Sequence, residues 1–209
     1  MLGCLIGFAG LYVAFFYTSY YGQATGYTSE SLSFYLVPIL NAASVFGRTI
    51  PNWLADKIGP ANVIAPGVFC SSHSVVSLSA QLLIQKTGAT CVGIILLCMV
   101  AVENAGGLIA EALLFGFFSG IFIALPPVLF VALTQDKSKV GTRIGMGFSM
   151  VGLGVLAGGP GGGGILGTGS SNLHWTGTWI YAGVCALAAG GIFCIVRFMR
   201  SGAKVMAKC

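Results

Sequence analysis

Apolar runs of about 18 residues or more recur along the whole chain, and that is the length a helix needs to cross roughly 30 Å of hydrocarbon. Charged residues fill 7% of the 209 positions and hydrophobic ones 56%, whereas a soluble domain carries about 25% charged residues. Segments alternating in polarity every second residue, which a membrane barrel requires, do not occur. The expected class is an all-α membrane protein, with the lipid bilayer as its first partner.

Polar punctuation divides the chain. Spans are expected at about 2–22, 33–55, 105–133, 144–166 and 177–199, separated by GQATGYTSESL, TQDKSKVGTR and TGTGSSNLHWTG. The region 61–102 is too long for one span and long enough for two. Charge decides between these. With one span there, Lys57, then Lys137, Lys139 and Arg143, then Arg197, Arg200, Lys204 and Lys208 all fall on one side. The opposite loops hold Glu30, Glu103 and His174. That asymmetry favours six spans, with both termini cytosolic and residues 200–209 forming a basic cytosolic tail. The plasma membrane is the expected location.

The surplus length in the third span then needs an explanation. Residues 70–91, CSSHSVVSLSAQLLIQKTGATC, are rich in Ser, Thr and Gln. Deleting them joins ANVIAPGVF to VGIILLCMVAV as one span of crossing length. They are expected to be an insertion in the third helix, in the manner of a translated intron. The alternative is a tilted helix followed by a re-entrant or extramembrane loop.

The most informative stretch is NAASVFGRTIPNWLADKIGP, residues 41–60. At helical periodicity Asn41, Ser44, Arg48 and Asn52 share a face among apolar neighbours. Arg48 lies about 12 Å along the axis from Asp56 at ~1.5 Å per residue. An arginine at depth costs roughly 2.5–3.5 kcal/mol, so it faces a wet cavity or a partner. Asp56 and Lys57 end the helix, and Gly59-Pro60 forces a turn. Asp56 can then accept bonds from the amides of a neighbouring helix, a latch that can be made and broken.

GRTIPNWLADKIG resembles the loop motif between the second and third helices of a half in the major facilitator superfamily. GLYVAFFYTSYYG, SESLSFYLVPILNAASVFGR, LLFGFFSGIFIALPPVLFVALTQD and VGTRIGMGFSMVGLGVLAGGPGGGGILG are similar to the seventh, eighth, tenth and eleventh helices of fungal monocarboxylate-transporter-like permeases. The resemblance covers residues 1–69 and 92–199. It implies a six-transmembrane-helix half-bundle of the major facilitator fold, with residues 1–209 as a single membrane domain resembling the C-terminal repeat. It also implies secondary transport of a small organic anion, such as a monocarboxylate, by alternating access.

In that family an arginine on the eighth helix binds the substrate carboxylate, and Arg48 holds the matching position, with Asn41 and Ser44 beside it. A guanidinium stays charged and offers a planar fork to a carboxylate. The mammalian members have an aspartate where this chain has Ser44, which departs from lactate-type proton symport. The other reading of Arg48 is structural, pairing it with backbone carbonyls or Asp56. Asn52, Asp56, Lys57 and Gly59 are read as a conformational latch, and Glu111, a carboxyl within the fourth span, as a candidate for proton coupling.

Pro126-Pro127 should kink the fourth span, and the glycine run 158–164 both permits close packing and can disrupt the helix locally. Tyr17, Tyr20 and Tyr21 read as an interfacial belt rather than a surface for cargo.

The net charge of +5 is scattered among loops and tail without an aromatic-basic patch, so no nucleic-acid partner is expected. No catalytic motif, cofactor fingerprint or metal-ligand spacing occurs, and the seven cysteines form no CxxC pair. The expectation is a non-enzyme without cofactor or metal.

Transporters of this superfamily place their site between two six-helix halves. Three readings follow for a chain that resembles one half. It works with a missing N-terminal half, it acts with a second copy as a dimeric half-transporter, or it is a truncated, non-transporting fragment or gene-model artefact.

Overall fold

The computed structural model describes residues 1–58, 74–132, 134, 136–167 and 173–201, and it contains helices and no strand among them. In chain order these are α1 (Leu2–Ala24), α2 (Glu30–Ile58), α3 (Ser74–Cys98) with a 3-10 turn at Met99–Ala101, α4 (Ala105–Ala124), α5 (Pro126–Ala132), a 3-10 turn at Lys137–Lys139, α6 (Val140–Leu166) and α7 (Trp175–Ser201). The architecture is the expected all-α half-bundle, with α4 and α5 forming one broken rod.

Among the described residues, five helical segments are long and apolar enough to cross a bilayer: Leu2–Ala24, Ile84–Ala101, Ala105–Val131, Val140–Leu166 and Trp175–Val196. α2 is 29 residues long but is not among them, because it carries Asn41, Arg48, Asn52, Asp56 and Lys57 along its length.

Glycine sets the spacing of the helices. Lipid tails are as apolar as leucine, so helices in a bilayer associate through close contact rather than hydrophobic exclusion. A methyl on Gly116 or Gly120 of α4 would strike the carbonyl oxygens of Leu40 and Ser44 on α2, and one on Gly47 would strike that of Phe117. The same happens between α6 and α1, where Gly154 and Gly158 face the carbonyls of Leu5 and Ala9. In both pairs the contacts advance together along the two chains, so α2 runs parallel to α4, and α1 to α6. Gly3 against Phe193 and Gly10 against Ala182 and Ala186 make α7 antiparallel to α1. The start of α1, the end of α7 and the start of α6 therefore lie at one end of the bundle, with Lys139 and Arg143. Glu30, Glu103 and His174 lie at the other.

α6 continues through the glycine run and Pro160 to Leu166, so the expected local disruption does not occur. Packing outweighs propensity here. Gly158 and Gly162 are buried against α1, and the Tyr17 hydroxyl donates 2.8 Å to the Gly159 carbonyl. Gly26, at φ +73°, makes the turn from α1 towards α2 in a conformation other residues adopt at a cost. At the start of α4, Asn104 Oδ1 accepts from the Gly107 amide at 2.6 Å, satisfying a donor that a helix start leaves orphaned.

Residues 74–98 form one helix, which takes in the described part of the stretch 70–91. Residues 59–73 lie outside the described residues. The reason is a continuous buried stripe: Gln85, Ala89, Val92, Leu96 and Met99 are each 0–1% exposed, at the alternating three- and four-residue steps of one helix face. That stripe runs unbroken across residues 91 and 92.

The fourth span breaks where the prolines predict. Pro126 and Pro127 have no N–H, so the carbonyls four residues earlier, of Phe122 and Ile123, lose their helical donors. α4 ends at Ala124 and α5 begins at Pro126, where the fixed φ of proline suits a first helical turn. Gln85 Nε2 donates to the Phe122 carbonyl at 3.3 Å in a buried site. A side chain of α3 thus replaces the donor that Pro126 lacks.

Two substitutions test these contacts by unfolding of the purified protein in detergent. Gln85→Leu should destabilise by about 1–3 kcal/mol, because it strands a buried carbonyl. Gly120→Leu should cost about 1–3 kcal/mol or more through overpacking, whereas Gly191→Ala, where nothing lies within 4 Å, should be neutral or stabilising.

Candidate functional site

α2 positions most of the residues that the sequence singled out. Its buried stripe, Ser33, Leu36, Leu40, Ala43, Ser44 and Gly47, packs chiefly on α4. The remaining arc is exposed and mixed in character, with Phe34, 72% exposed, on the same seven-residue line as Asn41 and Arg48. Asn41 and Arg48 are exposed along one edge. Tyr35, Ala42 and Phe46 are exposed along the other. The polar edge borders the α4 contact, and the apolar edge lies farther round the helix.

The structure separates the three expected substrate contacts. Asn41 and Arg48 face outward from the half-bundle. Ser44 is 2% exposed, its hydroxyl donates 2.7 Å to the Asn41 carbonyl, and its own carbonyl packs on Gly120. Asn41 Nδ2 donates to the Val37 carbonyl at 3.0 Å, which folds the amide along its own helix. Of the expected latch, Asn52, Asp56 and Lys57 lie on the last turns of α2, while their side chains and Gly59 fall outside the described residues.

Glu111 is not on this edge. It is 6% exposed within α4, and neither carboxylate oxygen has a hydrogen-bond partner among the described residues. The interior of the bundle offers no polar chamber beside Phe122, where a small void is lined by Gly7, Leu11, Ala89, Val92, Phe122 and Ala186. All six are apolar.

The tyrosines divide as well. Tyr20 is exposed and stacks obliquely near Trp175, with ring centroids 5.4 Å apart, as an interfacial residue would. Tyr21 is buried, meets Trp175 and Trp179 edge-on at 4.9 and 5.5 Å, and donates to the Val102 carbonyl at 3.1 Å. It belongs to the core. Thr18, Gln85 and Trp179 were missed by sequence reasoning. For Gln85 the signal was present, since a proline pair inside a span announces orphaned carbonyls that some amide must serve.

At the charged end, Asp136 organises the entry to α6. Its Oδ1 accepts from the Ser138 hydroxyl at 2.8 Å and the Ser138 amide at 3.1 Å, and Lys139 Nζ stands 3.5 Å from Oδ2.

Over 194 residues, 93% of this chain, the sequence is 54% identical to the MFS-type transporter dbaD of Emericella nidulans. The chain is homologous to MFS-type transporters. It is also 36% identical over 178 residues to MFS-type transporter 1 of Ophiocordyceps sp. and 34% identical over 157 residues to the aspyridones efflux protein apdF of Emericella nidulans. These matches take in 85% and 75% of this chain. The chain spans well under half the length of these relatives: 39%, 34% and 28% in turn. No family model and no solved structure matches it. The superfamily expected from GRTIPNWLADKIG is the one that dbaD and MFS-type transporter 1 are named for, and none of the three names mentions a monocarboxylate.

The bonds from Ser138, side chain first and backbone second, hold the Asp136 carboxyl below the ordinary aspartate range. The sign follows: the ionised form is favoured in the folded chain, so its contribution is present above the ordinary aspartate pKa and fades as pH falls through the lowered value. In a carboxyl-carbon NMR titration Asp136 should turn over below the ordinary range, and Ser138→Ala should move its midpoint back up.

Proposed function

We propose that this chain forms one half of a secondary transporter that carries a small organic anion across a membrane by alternating access. The observation that carries the proposal is the 54% identity to an MFS-type transporter over 93% of the chain. The exposed edge of α2 supports the choice of an anion. Arg48 is the residue there with a permanent charge and a fork that matches a carboxylate, and Asn41 lies two turns away along the same line.

The cargo is a metabolite bearing an acid group, of which a monocarboxylate is the simplest case. Export suits the efflux named for the apdF relative. Ser44 contributes by fixing the approach of α2 to α4 rather than by touching cargo, since its hydroxyl is committed to its own helix. Asn52, Asp56, Lys57 and Gly59 serve as the latch at the cytosolic end, and Glu111 is the carboxyl available for proton coupling. A second six-helix unit faces the polar edge, supplied by an N-terminal half or by another copy. The basic residues keep both termini cytosolic, and the plasma membrane is the site of action.

Flux of radiolabelled short-chain acids in transporter-deficient yeast tests the reading. Cells producing the wild-type chain should move label, Arg48→Ala should reduce the rate by about tenfold or more, and Arg48→Lys should keep part of it, in line with about 1.5–3 kcal/mol for a charge-assisted bond. Equal rates for wild type and Arg48→Ala would contradict the assignment.

A further inference from the structure

Three buried polar groups remain without a partner among the described residues in addition to the Gln85 carbonyl: Thr18 Oγ1, both carboxylate oxygens of Glu111, and Trp179 Nε1. They come from three different helices, α1, α4 and α7. Leaving such groups unsatisfied in an apolar setting is costly. Their coincidence at one place would therefore be meaningful, and the seams between the helices set them at one level.

The seam between α1 and α4 fixes the level. Phe8 meets Phe122 with ring centroids 5.3 Å apart, and Phe15 meets Phe115 at 5.7 Å. Gly22 meets Leu108. The contacts recur at heptad spacing on both antiparallel helices. Thr18, between Phe15 and Gly22, thus stands opposite Glu111 and Ala112, between Leu108 and Phe115. The seam between α1 and α7 fixes the third member. Gly7 meets Ala189 and Gly10 meets Ala186, and Tyr21 closes on Trp179 at 5.5 Å, so Trp179 lies level with Thr18 as well. On the wheel of α1, Thr18 falls between the face turned to α4 and the face turned to α7. It therefore looks towards both partners.

We infer that Thr18, Glu111 and Trp179 form a buried site for a single water molecule that ties α1, α4 and α7 together beneath the aromatic layer of Tyr21 and Trp175. The donor set selects this ligand. Buried water makes about three hydrogen bonds to otherwise unsatisfied groups, and these are an acceptor, a hydroxyl that can do either, and an obligate donor. A metal cation is unsuited, because the indole N–H has no lone pair to offer. The site shares Glu111 with the proton-coupling role proposed above, and its test reads internal water rather than transport.

Hydroxyl-radical footprinting of the purified full chain tests the site, because radicals formed from a bound water oxidise the side chains that hold it. Trp179 has no solvent exposure, so without internal water it should be inert, whereas half-buried Trp175 is a built-in reference. In the wild-type chain Trp179 should be oxidised at a rate comparable to Trp175. Glu111→Leu and Thr18→Val should each lower Trp179 oxidation severalfold relative to Trp175, and Thr18→Ser, which keeps the hydroxyl, should retain it. An inert Trp179 in the wild-type chain overturns the inference even if no variant folds. So does Trp179 oxidation that is unchanged in both Glu111→Leu and Thr18→Val.

Discussion

A backbone carbonyl inside hydrocarbon has no water to fall back on, and Pro126 leaves the carbonyl of Phe122 without its helical donor. The rest of the bundle is arranged around that constraint. Spanning segments satisfy their polar groups internally, and at the break between α4 and α5 a neighbour supplies one of the two missing bonds. Gln85 does so from the third helix. The pairing explains why a polar residue is kept in the fully buried stripe of α3. It also fixes the lateral position of α3 against the break, and hence the seat of α7 beside it.

Close approach at glycine is the complementary device. Backbone meets backbone where Gly116, Gly120 and Gly47 join α2 to α4, and where Gly154 and Gly158 join α6 to α1. Such contacts allow helices to be held by dispersion and shape where a hydrophobic driving force is absent. They also orient α2. With one stripe locked against α4, the edge bearing Asn41 and Arg48 can only turn away from the half-bundle.

Much of this was legible in the sequence. Apolar length gave the helices, the distribution of Lys and Arg gave their alternation, and the proline pair gave the break in the fourth span. Two features were not. The helical state of residues 74–91 was masked by composition: Ser, Thr and Gln look foreign to a span, yet Gln85 and Ala89 continue the stripe of Val92 and Leu96. Local polarity was the weaker signal there, because tertiary contacts can make a polar residue a core residue. Ser44 was grouped with Arg48 by periodicity, but it lies at the margin of the stripe, where a small rotation decides between exposure and contact. Periodicity names a face and cannot supply the neighbour that covers it. For the same reason Thr18 and Trp179 drew no notice until the seams of α1 showed them at one level with Glu111.

The functional account rests on the polar edge of α2 meeting water rather than lipid. Replacing the seven native cysteines and introducing Arg48→Cys, Asn41→Cys or Phe46→Cys one at a time puts that to a direct test in membranes. A charged, membrane-impermeant thiol reagent should modify positions 41 and 48 readily and position 46 slowly. If position 46 reacts and positions 41 and 48 do not, the polar edge is sealed from water and the account of an anion held there is wrong.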